Sequence, residues 1–134
     1  MWQYSQSTGD LSDANGFIVA TCYSGHGAGV NNPAMQQCAD VGPIPQGLYS
    51  LGAPVNDPDN PASANAELAH LGPFAITLIP HDGNQMFGRS GFYIHGDDIH
   101  ELGQRAASLG CIVAPPDARR QLWNSTDHVL SVIP

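Results

Sequence analysis

FYIHGDDIHELGQRAASLGCIV, residues Phe92–Val113, begins as a strand and ends as one. Phe92–His95 is rich in aromatic and β-branched residues, and Cys111 leads into the short run Ile112–Ala114. Gly96 and Gly110 bound the connection, where extended chain most readily stops. Short apolar runs of this kind extend in both directions. Phe74–Ile79 and Leu48–Leu51 read as strands upstream, the second fed by the rigid turn Gly42-Pro43-Ile44-Pro45-Gln46-Gly47. Trp2–Ser5, Phe17–Tyr23 and Val129–Ile133 read the same way, with a turn at Ser7–Asp10 and loops at Ser24–Pro33, Ala53–Pro61 and Pro80–Gly91. Pro115–Trp123, with proline at its start, is the best helix, and Ala62–His70 has room for one or two helical turns. The expected fold is mostly β: about eight short strands in a small sandwich or partly open barrel, with one or two short helices.

The length of 134 residues suits one domain, taken as residues 1–134, with a core of its own. Apolar residues at 42% and charged residues at 12% indicate a globular chain. All four cations are arginines, and the net charge of −8 disfavours a grip on phosphate backbones, so nucleic acid is not an expected partner. No apolar run approaches the roughly 20 residues of a membrane span. Met1-Trp2-Gln3-Tyr4 has neither the basic nor the apolar region of a signal peptide, so export by another route is expected for any work outside the cytoplasm.

The chemistry concentrates in the opening segment. Acyl transfer needs a thiolate, a base to make it and donors for the oxyanion. Cys111 follows Gly110 in a tight turn, where neighbouring backbone N–H groups can point at the sulfur's substrate. His95 ends a strand that can lie beside it, and a nearby backbone carbonyl can hold the imidazole tautomer. Taken singly, a cysteine before Ile-Val is more often a small buried hydrophobe, and a histidine at a strand end is more often structural. The two together, each glycine-flanked, point to a nucleophile and its base.

Ile94-His95-Gly96 with Ser108-x-Gly110-Cys111-Ile112 resembles the His-Gly … Ser/Thr-His-Gly-Cys signature of YkuD-type L,D-transpeptidase domains. Gly42-Pro43-Ile44-Pro45-x-Gly47-x-Tyr49 resembles the entry turn of those domains. The similarity is closer to the type VI secretion L,D-transpeptidase effectors. It is carried by Trp2-Gln3-Tyr4, Thr8-Gly9-Asp10-Leu11, Tyr23-Ser24-Gly25-His26-Gly27, Asn31-Asn32-Pro33 and Gly88–Asp97. Leu109 stands where the broader domains usually have histidine, and Val113 where they usually have arginine; the effector subgroup shares both features.

The resemblance implies a cofactor-free cysteine enzyme acting on peptidoglycan stem peptides. Cys111 would attack the carbonyl of the third residue and expel the terminal D-alanine, with His95 as base and Ser108 and Gly110 shaping the catalytic turn. Arg89, Tyr93 and Gly96 are the substrate-binding candidates, Arg89 as a bidentate holder of a substrate carboxylate. The implied setting is delivery by a secretion apparatus into a target bacterium's periplasm, with a cognate immunity protein in the producer. For such an oxidising destination, three cysteines suggest a Cys22–Cys38 disulfide with Cys111 free. Asp97 and Asp98 are read as turn residues. Competing readings are a metal-dependent hydrolase using His95, Asp97 and His100, with His81-Asp82 upstream, an NlpC/P60-like peptidase built on Cys22, and a catalytically inactive fold that binds cell wall.

Overall fold

The computed structural model describes residues 1–97 and 108–134. Among the described residues nine strands are formed: β1 (Trp2–Ser5), β2 (Asp10–Ser12), β3 (Ile18–Thr21), β4 (Tyr23–Ser24), β5 (Gly47–Leu51), β6 (Ile76–Pro80), β7 (Tyr93–His95), β8 (Ile112–Val113) and β9 (Val129–Ile133). They lie in one sheet of order β3-β2-β1-β9-β5-β6-β7-β8-β4. The β1–β9 and β7–β8 pairs are parallel and the others antiparallel. Only Cys22 separates β3 from β4, yet these stand at opposite ends of that order. The sheet therefore curls on itself into a nearly closed barrel, as the mostly-β expectation required.

Alternation along the strands decides what fills the interior. Trp2 and Tyr4, Tyr49 and Leu51, Ile76 and Leu78, and Leu130 and Val132 all turn into one buried cluster that also takes Ile94 and Ile112. Each such side chain contributes about 1.5–3 kcal/mol on leaving water. The helix α1 (Pro116–Asn124) adds Ala118 and Leu122 to the cluster. Pro116 opens it with φ already set, and Asp117 in its first turn complements the amide ends there. Four short 3-10 segments, at Gly27–Gly29, Pro33–Met35, Pro61–Ser63 and Ala66–Leu71, complete the described helical structure. Among the described residues no helix is long and apolar enough to cross a membrane.

The structure departs from the sequence reading in four places. FIVATCY is not one strand but β3 and β4, broken at Cys22, whose amide donates to Gly9 O at 2.7 Å. Strand β2 was not anticipated; at three residues with one buried side chain, it is too short to display a period. Phe74 adopts φ +54 and turns the chain, so β6 starts at Ile76 and not at Phe74. Finally, Cys22 and Cys38 are not joined, and all three cysteines are free. Cys22 belongs to the core, whereas Cys38 is half-buried in a turn whose backbone bonds to Met35 and Gly42.

Candidate active site

The β7–β8 pair positions the candidate residues. Its parallel register matches Ile94 with Ile112 and His95 with Val113, and Ile94 and Ile112 face the core. Alternation then puts Tyr93 and His95 on the opposite face. Cys111 stands in the bend just before β8, its Sγ 3.8 Å from Gly91 O and facing the Tyr93 amide at the start of β7. Cys111, Tyr93 and His95 together line a cleft of about 510 Å³. Its other walls come from Ala39–Asp40, His70–Leu71 and the Phe87–Phe92 segment, and from Leu109, which is exposed like Phe87.

The turn that presents Cys111 is held from three sides. Ser108 Oγ donates to Cys111 O at 2.6 Å and accepts from the amides of Gly110 (3.0 Å) and Gly25 (3.2 Å). Ser24 Oγ donates to Gly110 O at 2.8 Å and accepts the Ile44 amide at 2.8 Å, so the Gly-Pro-Ile-Pro turn is bolted to the cysteine loop. Arg89, buried, donates to Gln36 O (2.6 Å), Pro43 O (2.7 Å), Gly42 O (3.0 Å) and Leu109 O (3.4 Å). Gly110 has φ +139, and a Cβ there would stand 2.5 Å from Arg89 Nη2; only glycine fits.

His95 is fixed through its own strand exit. Its Nδ1 lies 2.8 Å from Gly96 O. A carbonyl only accepts, so Nδ1 carries the proton and Nε2 is the basic nitrogen. Burial pulls His95 below the usual histidine value; the Gly96 hydrogen bond opposes this, while the charges of Arg119 and His70 add to it and Asp97 opposes it. Burial pushes the Cys111 thiol above its usual value, against the Tyr93 amide and the Arg89 charge, which both favour thiolate. At neutral pH Cys111 therefore rests as an uncharged thiol and His95 as an uncharged imidazole.

Several sequence-derived roles change on this geometry. Arg89 does not present a free fork for a carboxylate, because its guanidinium is filled by backbone carbonyls; it holds loops together instead. Ser108 is saturated within the turn, and the Gly110 amide is bonded to Ser108, not turned to an oxyanion. Gly96 serves the imidazole through its carbonyl, and Tyr93 lines the cleft while its amide faces the sulfur. Cys22 is buried in the core, where burial, with the Asp10 charge adding, pushes its thiol up to about 12, an environment that suppresses a nucleophile. Of the metal-ligand alternative, His95 Nδ1 is engaged by Gly96, Asp97 accepts from Tyr23 OH at 2.7 Å, and His100 lies outside the described residues, as does Asp98. Among the described residues no three His, Cys, Asp or Glu side chains gather as a ligand set.

Sequence reasoning missed Ser24, His70 and Arg119. Ser24 sat within a quoted motif, Tyr-Ser-Gly, but nothing local marks a hydroxyl that bonds 86 residues away. His70 enters the cleft from a 3-10 segment with no periodicity. Arg119, between Ala118 and Leu122 on the buried helix face, carried a signal: an arginine at a core position.

The Tlde1 domain matches residues 18–132. The chain belongs to the Tlde1 family. This is the type VI secretion L,D-transpeptidase effector family that the motifs between Tyr23 and Cys111 resemble. The matched span contains the whole described site, from Ser24 to Arg119. No curated protein matches the chain in sequence.

Proposed function

We propose that the chain is a single-domain cysteine acyl-transfer enzyme of YkuD-like type that trims peptidoglycan stem tetrapeptides, with Cys111 as nucleophile and His95 as base. The observation that carries this reading is that Cys111, just before β8, and His95, at the end of the adjacent β7, line one cleft, with the imidazole tautomer set by Gly96. Membership of the Tlde1 family supports peptidoglycan as the substrate class.

The steps follow from the resting protonation. His95 Nε2 takes the Sγ proton as sulfur attacks the carbonyl carbon of the third stem residue. The tetrahedral adduct collapses to a thioester, and the imidazolium returns its proton to the departing amine of D-alanine. Water or a D-amino-acid amine then attacks the thioester, giving a tripeptide or an exchanged tetrapeptide and restoring the thiol. Arg89 favours the thiolate at the moment it forms, and Arg119 disfavours a lingering imidazolium; Ser108, Ser24 and Gly110 hold the nucleophile's turn. Loss of tetrapeptide donors would weaken a competitor's wall. This suits a toxin delivered by a secretion apparatus into a target periplasm and neutralised at home by an immunity protein.

The test is incubation with purified tetrapeptide muropeptides and measurement of product masses. Tripeptide plus free D-alanine, or an exchanged tetrapeptide when a D-amino acid is added, is the expected result. Cleavage in the glycan, or at another peptide bond, would displace this reading.

A further inference from the structure

Two arginines are buried beside the cleft, and among the described residues the ion pairs are Met1 N with Asp127 and Arg120 with Asp59. Neither Arg89 nor Arg119 has a carboxylate of the described residues within ion-pair distance. A buried cation held only by carbonyls costs several kcal/mol of desolvation, which its hydrogen bonds and its field must offset. For Arg89 the return is visible in the loops around Cys111. Arg119 has a different position.

Arg119 reaches from α1 to three segments that surround His95. Its Nη1 donates to Ala114 O at 2.7 Å, and the Ala114 amide in turn donates to His95 O at 2.9 Å. Its Nε donates to Phe74 O at 3.1 Å and its Nη2 to Pro73 O at 3.3 Å. Those carbonyls belong to the turn that follows His70 and Leu71, both on the cleft wall. Phe74 is a buried aromatic held at φ +54, a conformation that persists only where its surroundings over-determine it. The third segment is Gly96, where a Cβ would stand 2.8 Å from Arg119 Nη1 and 3.4 Å from Nη2. The guanidinium thus closes off the space beside the residue whose carbonyl accepts the His95 Nδ1 hydrogen bond.

We propose that Arg119 is the positioning residue for the catalytic imidazole: its guanidinium fixes the Gly96 peptide and the Ala114 strand end, so that His95 is held in one tautomer with Nε2 turned to the cleft. This rests on the acyl-transfer reading for its catalytic meaning, but not for its geometry. Among the described residues, the charged and titratable groups that act on His95 or share its cleft are Arg119 from α1, His70 from the 3-10 segment, Asp97 and Cys111. Arg119 is the buried cation among them, so its field opposes a proton on the ring, as the lowered His95 value reflects.

The experiment is ¹⁵N NMR of histidine-labelled protein through a pH titration, for the wild type, Arg119→Lys and Arg119→Met, alongside kcat and KM on tetrapeptide. The wild-type His95 is expected as the Nδ1-protonated tautomer. Arg119→Met should raise its titration midpoint and mix the tautomers, with kcat down about 10- to 100-fold and KM little moved. Arg119→Lys, which keeps the charge and loses the planar fork, should hold the midpoint near that of the wild type yet still mix the tautomers. A wild-type ring protonated on Nε2 overturns the proposal without any variant. So does an Arg119→Lys protein with the wild-type tautomer and kcat. The spectra need no substrate, so a protein that leaves tetrapeptides intact but shows these shifts would sink the acyl-transfer reading alone.

Discussion

Ser24→Ala removes one oxygen from the protein and should loosen both the barrel and its active site. The Ser24 hydroxyl is fully buried and makes two 2.8 Å bonds, from the Ile44 amide and to Gly110 O. Alanine leaves the Ile44 backbone amide without that partner in a residue that is itself fully buried, and leaves Gly110 O one bond short. An unsatisfied buried group costs about 1–3 kcal/mol. The carbonyl has a second lone pair and suffers less than the amide, so the sum is about 2–4 kcal/mol. At about 3 °C per kcal/mol for a domain of this size, Tm should fall by about 6–12 °C. The same bond to Gly110 O holds the residue before Cys111, so kcat on tetrapeptide should fall as well, about tenfold, below the melting range. Differential scanning calorimetry and steady-state kinetics on one preparation read both. A Tm within about 2 °C of the wild type, with unchanged kcat, would refute the claim that this hydroxyl joins the Gly-Pro-Ile-Pro turn to the cysteine loop.

Gly110→Ala should destabilise by at least about 2 kcal/mol, since φ +139 is strained for alanine and its Cβ meets Arg89 Nη2 at 2.5 Å; urea unfolding measures it. Cys22→Ala should lower stability by about 1 kcal/mol and leave kcat/KM at the wild-type value, checked by the same unfolding curves and by tetrapeptide turnover. With His95 lowered, the catalytic base stays unprotonated to below pH 6.5, so a pH–rate profile should be flat through neutrality and fall only on the more acidic side. Stability carries the same sign: the unfolded chain takes up a proton near pH 6.5 and the folded one resists it, so the contribution is whole above pH 6.5 and is lost as pH falls toward the folded value. Cys22, raised to about 12 from 9.0, predicts a second loss, beginning above pH 9 as the unfolded thiol ionises; thermal melts across pH read both limbs.

What the sequence made legible follows from how local each signal is. Trp2–Ser5, Leu48–Leu51 and Val129–Ile133 alternate over four or five residues, and all three are strands with their buried side chains in register. The break at Cys22 was hidden because β-branched and aromatic residues run through it; the chain bends there to close the barrel, a demand set by distant strands. The His95 and Cys111 positions were readable because glycines mark both strand ends, and a carbonyl as tautomer holder is what Gly96 provides. The role of Arg89 was hidden for a related reason. In an acidic chain Arg89 looks like a surface cation seeking a carboxylate, but four carbonyls from separate loops converge on it only once the fold exists. Ser24 and Arg119 likewise act on partners remote in sequence.

The central claim is that Cys111 carries the acyl group. Rapid-quench intact-mass and peptide-mapping spectrometry of the protein mixed with tetrapeptide tests it directly. The account predicts an adduct of the tripeptide acyl mass on the fragment containing Cys111, absent from Cys111→Ala and strongly slowed in His95→Ala. An acyl adduct on Cys22 or Cys38, or a Cys111→Ala protein that trims tetrapeptides at the wild-type rate, would contradict it.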